Sequence, residues 1–293
     1  MSFKLTQAIP FLFVWLWSTG FIGAKYGLPY IEPFFMLFVR FCFVLIIFYF
    51  LILVYKSQWL DTRQSLQQIL IGSLIHGCYL GGVFFAIKLG VPAGISAIIV
   101  GMQPIVTSAI GHFLLKQKVN LKQLFGMTIG FAGISLVIFG SVNIELANIT
   151  SLGIIACLIS LFSISLGTIL QKKLATNTPL LSGSFYQYIG AMVVISALTF
   201  SLEEQQVDYT FELFVAMTWL VLGLSVLAIL LLLYMIREGE VAKVTSYFYL
   251  VPPVAVIQTW LLFDEKLGFL AIVGCGLSVI GVFFVVKGQS KTP

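Results

Sequence analysis

Charge is what this chain has least of. Only 9% of its 293 residues are Asp, Glu, Lys or Arg, while 60% are hydrophobic; a soluble domain carries about 25% charged residues. No soluble core hides that much apolar surface, so the implied solvent is lipid. The formal charge of +5 is therefore no nucleic-acid signal. Cysteine is also sparse. Cys42, Cys78, Cys157 and Cys275 each lie in an apolar run, none in a close pair of metal-ligand spacing, so no metal site and no structural disulfide are expected. Acidic side chains are missing from the apolar runs altogether: every Asp and Glu falls in a loop or at the end of a run. That excludes a carboxylate proton relay or cation site at membrane depth, and intramembrane aspartyl proteolysis with them. There is no HExxH and no phosphate-cradling glycine loop, and "GISA" at 94–97 lacks the last glycine of a serine-hydrolase turn. No enzyme activity, no cofactor and no ATP-driven pump are expected.

What is present is a series of long apolar runs. Ten are near the roughly 20 residues that a span needs: 8–25, 34–54, 67–88, 93–114, 121–140, 150–171, 181–201, 212–235, 242–262 and 267–287. They are apolar on all faces, which predicts helices rather than alternating strands. The first run imitates a signal peptide, but its full-span length and its Trp15 and Trp17 predict a retained helix. One set of alternate loops holds 12 of the cations and the other only Lys25, Lys88 and Lys266. By the positive-inside rule both termini are cytoplasmic.

The second half repeats the first. At an offset of 148, Pro104 falls on Pro252, Gly126 on Gly274, Gly133 on Gly281 and Gly140 on Gly288. At 147, Gly20 falls on Gly167 and Lys25 on Lys172. Halves of five spans enter the membrane from opposite sides. The expectation is an all-α membrane protein with ten transmembrane helices in two inverted five-helix repeats, 1–141 and 142–293. Such repeats are a signature of secondary transporters, with the substrate held at the repeat interface near mid-membrane.

"LWSTGFIGAKYGLPYIEPFFMLFVR" resembles the opening of the drug/metabolite transporter superfamily, EamA type. That opening has Trp17, Phe21 and Lys25 on the first helix, then Pro33, then Arg40 on the second. The segments 94–140 and 244–288 are similar to the family's Pro-containing helix followed by a Gly-rich one. The resemblance covers almost the whole chain and implies a ten-helix carrier of small metabolites, often amino acids. One departure is Lys116-Gln117-Lys118, where the second half keeps Glu265, so no role that needs a carboxylate in both halves is expected.

Polar groups at membrane depth are the candidate pathway residues. Pro104 and Pro252 each free a carbonyl and kink a helix, with Gly101 and Ser108 on the face of the first, Thr245 and Tyr249 on that of the second. His76 and Tyr79 share a face in span three, and His is the side chain that titrates near neutral pH; His112 is nearer a helix end. Ser163 and Gln171 share a face in span six, although small polar residues also pack helices. Gln103, Tyr186, Gln187 and Gln258 read as bonded core groups, with Gln103 kept as a pathway candidate beside Trp17. Arg40, with Lys25, places positive charge at the outer mouth, which fits a carboxylate-bearing solute; snorkelling of Arg40 to the membrane edge is the rival. The reading is an inner-membrane exporter of an amino acid or related compound, with a small-molecule substrate and membrane lipid as partners and no nucleic acid; it does not extend to the oligomeric state. A lipid or lipid-linked sugar flippase and a non-transporting assembly factor are the alternatives.

Overall fold

The computed structural model describes residues 5–115, 120–142, 150–175, 178–229, 231, 235, 250–265 and 267–288. These are helical apart from the loops and one antiparallel bridge, Ile31 to Val207. The helices are α1 (Leu5–Gly27), α2 (Pro33–Tyr55), α3 (Thr62–Gly72), α4 (Tyr79–Lys88), α5 (Ala93–Gly101), α6 (Gln103–Leu115), α7 (Leu121–Val142), α8 (Ser151–Leu174), α9 (Leu180–Leu202), α10 (Phe211–Thr218), α11 (Val251–Phe263) and α12 (Phe269–Gly288). Two π-helical segments interrupt them: π1 (Ser73–Cys78) joins α3 to α4, and π2 (Trp219–Ala228) continues α10. Among the described residues six helical stretches are long and apolar enough to cross a membrane, and α11 and part of α12 are shorter apolar helices. All four cysteines are unpaired thiols.

Helix starts follow local chemistry. Pro33 sits in the first turn of α2, where a missing N–H costs nothing. Asp61 and Thr210 accept from Gln64 N and Leu213 N at 2.8 and 3.2 Å, and Asn120 and Gln123 cap each other at the head of α7, both at 2.9 Å.

The helix boundaries repeat. Displaced by 147 residues, Pro33–Tyr55 lands on Leu180–Leu202. Displaced by 148, Gln103–Leu115 lands on Val251–Phe263, and π1 falls within π2. The run read as one span at 93–114 is present as one apolar helical stretch, Ala93–Gly111, with a one-residue break at Met102, where Ile105 N donates to Met102 O at 3.0 Å. Pro104 lies just past that break. Pro252 stands in the first turn of α11, and residues 242–249 of the span expected there lie outside the described residues.

The chain forms two compact units, and each takes elements from both halves. One unit comprises Met1–Ile22, Leu89–Ile154 and Ala228–Pro293. Its core is α7 against α12, joined through glycines. A Cβ on Gly126 would meet the Gly281 carbonyl, and one on Gly133 would meet the Gly274 carbonyl. Rising numbers on α7 thus oppose falling numbers on α12, so the two run antiparallel. Gly126 meets the counterpart of Gly133, and Gly133 meets the counterpart of Gly126, as in a two-fold interface. In the same unit α5 packs on α11, with Gly101 against Pro252. A cavity of about 10 Å³ beside them includes Cys275 and Ser278. The Ser278 hydroxyl has no partner among the described residues. The space suits one water and no larger solute.

The other unit comprises Gly23–Lys88 and Ile155–Leu227. Here α2 and α9 are the antiparallel repeat-related pair. Phe38 meets Phe200 at 5.4 Å, and Phe185, the counterpart of Phe38, meets Tyr49 at 6.4 Å. α3 and π1 lie on α9 so closely that a Cβ on Gly72 would strike the Gln187 backbone and one on Gly190 the Ile69 carbonyl. Between them Ser73 Oγ shares its one proton between Ile69 O at 2.9 Å and Gly190 O at 3.1 Å. A hydroxyl inserted into the helical ladder is a recognised cause of local unwinding, and π1 begins at that serine.

Carboxylates bind helix starts in both units. Glu265 accepts from Ala93 N and Gly94 N at 3.1 and 3.2 Å. Glu203, at the end of α9, accepts from Phe34 N and Phe35 N at 2.8 and 2.7 Å. Burial holds the Glu203 carboxyl above its ordinary 4.5, with nearby Glu32 adding, against the pull of the two N–H groups and Lys88. The folded protein therefore takes up this proton at higher pH than the unfolded chain. Stability should rise as pH falls from neutral through the raised value, and the gain is complete below 4.5. Thermal unfolding measured across that range should lose this slope in Glu203→Gln; an unchanged slope removes Glu203 as its source.

Candidate functional site

In the α2–α9 unit the polar side chains of membrane depth connect into one line. It starts at Arg40 on α2, which is 4% exposed. The guanidinium stays inside, where Nε and Nη2 donate to Ser225 Oγ of π2 at 3.1 and 2.9 Å. Ser225 also hydrogen-bonds the Tyr188 phenol of α9. Tyr188 packs against Phe41 and Phe48 of α2 at 5.4 and 5.7 Å. Its other face stacks on the His76 ring, with centroids 4.6 Å apart and planes 12° from parallel.

His76 hydrogen-bonds the Gln187 side chain. Gln187 Nε2 in turn donates to Gln68 Oε1 at 2.6 Å and to Gln171 Oε1 at 2.7 Å. Gln68 continues to Thr178 Oγ1 at 3.3 Å. The line thus draws on α2, α3, π1, α8, α9 and π2. It runs from near the start of α2 towards the end of α8, where Lys172 and Lys173 stand. Both π segments contribute a polar side chain to it, His76 and Ser225. Such segments recur at functional positions. His76 and Gln171 are half-buried, and the Gln171 amide N–H₂ has no partner among the described residues.

The structure brings Arg40, His76, Tyr79 and Gln171 into one neighbourhood; Tyr79 is buried beside Arg40. Ser163 is buried on α8 of the same unit, and Lys25 occupies the last turn of α1. Trp17, Gln103, Pro104 and Pro252 belong to the other unit. There Trp17 packs on Phe13 at 5.3 Å, and Gln258 Nε2 donates to Trp15 O at 3.2 Å. Lys116 to Lys118, Thr245 and Tyr249 lie outside the described residues, as do the side chains of Pro104, Ser108 and His112. Sequence reasoning missed Ser225, Tyr188 and Gln68. At the 147 offset that relates α2 to α9, Arg40 falls on Gln187, and Tyr188 is the next residue along. Gln68 was hidden in the polar edge "QSLQQIL" that opens span three.

A helical chain with membrane-length apolar segments, repeated helix boundaries and a polar line at membrane depth is an integral membrane protein of the carrier type. The EamA-like transporter family model matches it twice, over residues 8–139 and 151–287; the chain belongs to that family. It is 25% identical over 294 residues to a probable amino-acid metabolite efflux pump of Salmonella typhimurium, covering 94% of this chain and 93% of the relative. It is 26% identical over 280 residues to the uncharacterized inner membrane transporter YedA of Escherichia coli, covering 95% and 89%. A solved crystal structure shares its fold at a TM-score of 0.64 and 17% identity, over 94% of each chain.

Proposed function

We propose that this membrane transporter exports a small polar metabolite, an amino acid or related compound, across the inner membrane by alternating access. The observation that carries the reading is the polar line itself. A buried guanidinium, a half-buried imidazole and an amide with unspent donors are tolerated at membrane depth where they meet water or a solute. The efflux-pump name of the Salmonella relative supports the substrate class and the direction. Ten spans in two inverted repeats, 1–141 and 142–293, with both termini cytoplasmic, belong to the same reading. The antiparallel pairing of α2 with α9 and of α7 with α12 supports it.

Proteoliposomes preloaded with labelled amino acids test the proposal. Reconstituted protein should speed release of at least one amino acid several-fold over empty vesicles, and Arg40→Ala should slow it. Release equal to that of empty vesicles for all of them rejects the reading. Scrambling of a fluorescent lipid in the same vesicles would replace it with the flippase.

A further inference from the structure

We propose that Arg40 and Ser225 form an anchor for one carboxylate, and that the site reads the acid end of its ligand without reading an amine. The inference deepens the transporter reading and rests on it only for calling the ligand a transported solute. A guanidinium has five N–H donors in a rigid fork. Here two of them share one neutral oxygen, Ser225 Oγ. Among the described residues Arg40 meets no carboxylate. The acids of its unit, Glu32, Asp61, Glu203, Glu204, Asp208 and Glu212, all stand at helix ends or in loops, and its further neighbours Tyr79 and Tyr188 are phenols. A buried cation whose one hydrogen-bond partner among the described residues is a hydroxyl is costly, and such groups in membrane proteins mark pathways and counter-ion sites. The Nη1 edge is the part of the fork that Ser225 leaves open. A carboxylate matches that geometry.

The line offers the opposite to an amine. An ammonium only donates and needs acceptors. The Oε1 atoms of Gln68 and Gln171 both accept from Gln187, and Gln187 gives its own oxygen to His76. The unspent donors are Arg40 Nη1 and the Gln171 amide; the acceptors left over are neutral lone pairs, on the amide oxygens and on the imidazole's bare nitrogen, and none among the described residues of the line is a carboxylate. A 2-oxo acid should therefore be held as well as the amino acid with the same side chain, because the amino group has no charged partner to gain.

Thermal unfolding of the purified full-length protein, at constant ionic strength and chloride, tests this with two matched sets. One is alanine, pyruvate and ethylamine; the other is phenylalanine, phenylpyruvate and phenethylamine. In at least one set the amino acid and the 2-oxo acid should raise Tm with affinities within roughly threefold, and the amine should not. Arg40→Gln should weaken both acids about tenfold, the scale of a lost charge-assisted hydrogen bond. The proposal is overturned by an amine that binds as well as the acids, by an amino acid that binds without its 2-oxo acid, by no acid binding in either set, or by acids that bind Arg40→Gln unchanged. If Arg40→Gln does not fold, Ser225→Ala is read in its place: a several-fold change in acid affinity supports the anchor, and none overturns it. Flux of the same solutes in proteoliposomes separates the two readings. Acid binding without flux keeps the anchor and removes the transporter; flux of acid and amine alike keeps the transporter and removes the anchor.

Discussion

Gln187→Leu should lower stability by about 3 kcal/mol, a large loss for a substitution that leaves no void. Leucine nearly fills the space of glutamine, so the loss is polar. Gln187 gives both amide protons away, to Gln68 and Gln171, and receives one from His76. The three orphaned partners are not equal. His76 and Gln171 are half-buried and can turn to water or solute. Gln68 is 1% exposed, so its oxygen carries the full cost of an unmet buried acceptor, about 1–3 kcal/mol. The test is reversible unfolding in mild detergent or bicelles with a double-mutant cycle. Adding Gln68→Leu should recover part of the loss, because removing both partners leaves nothing unsatisfied there. Simple addition of the two losses would mean that Gln187 is not the hub.

Gly281→Ala should cost about 1–3 kcal/mol, and Gly281→Leu should abolish assembly of the α7–α12 pair. The added Cβ would stand 2.5 Å from Gly130 N and 2.6 Å from Gly126 O. Those atoms are backbone, so no side chain can swing away and α7 itself must move. The control lies on the same helix: a Cβ on Gly276 meets nothing within 4 Å. Gly276→Ala should be neutral or stabilising by up to about 1 kcal/mol, since alanine is the better helix former. Expression yield and Tm in detergent should separate the two sharply, and equal behaviour would refute the close glycine seam.

The candidate site was legible only in pieces. Arg40, His76 and Gln171 stand out as polar types inside apolar runs. Gln187 was visible as a polar group at depth, but its role as the centre of four side chains was not. Ser225 looked like any small residue in "LGLSVLA". The reason is that α2 and its neighbours are apolar all round, so helical periodicity does not say which face turns inward. The π segments add a second obstacle. They hold His76 and Ser225 in a wider turn, so phase arithmetic for an α-helix misplaces whatever follows.

By itself the sequence determined the solvent, the helical class and the repeat. Scarce charge leaves lipid as the surroundings. Spans without a carboxylate leave Arg40 no acid within another span. The 147 and 148 offsets recur in the ends of α2 and α9 and of α6 and α11. Tertiary structure decided the pairings. The register marks Gly126 and Gly274 as equivalent; only the folded chain sets Gly126 against Gly281. Likewise Arg40 reaches Ser225, 185 residues away, because α2 and π2 pack together. A sequence lists which groups need partners, but distance between helices is set by how closely their backbones approach, and that depends on both surfaces at once.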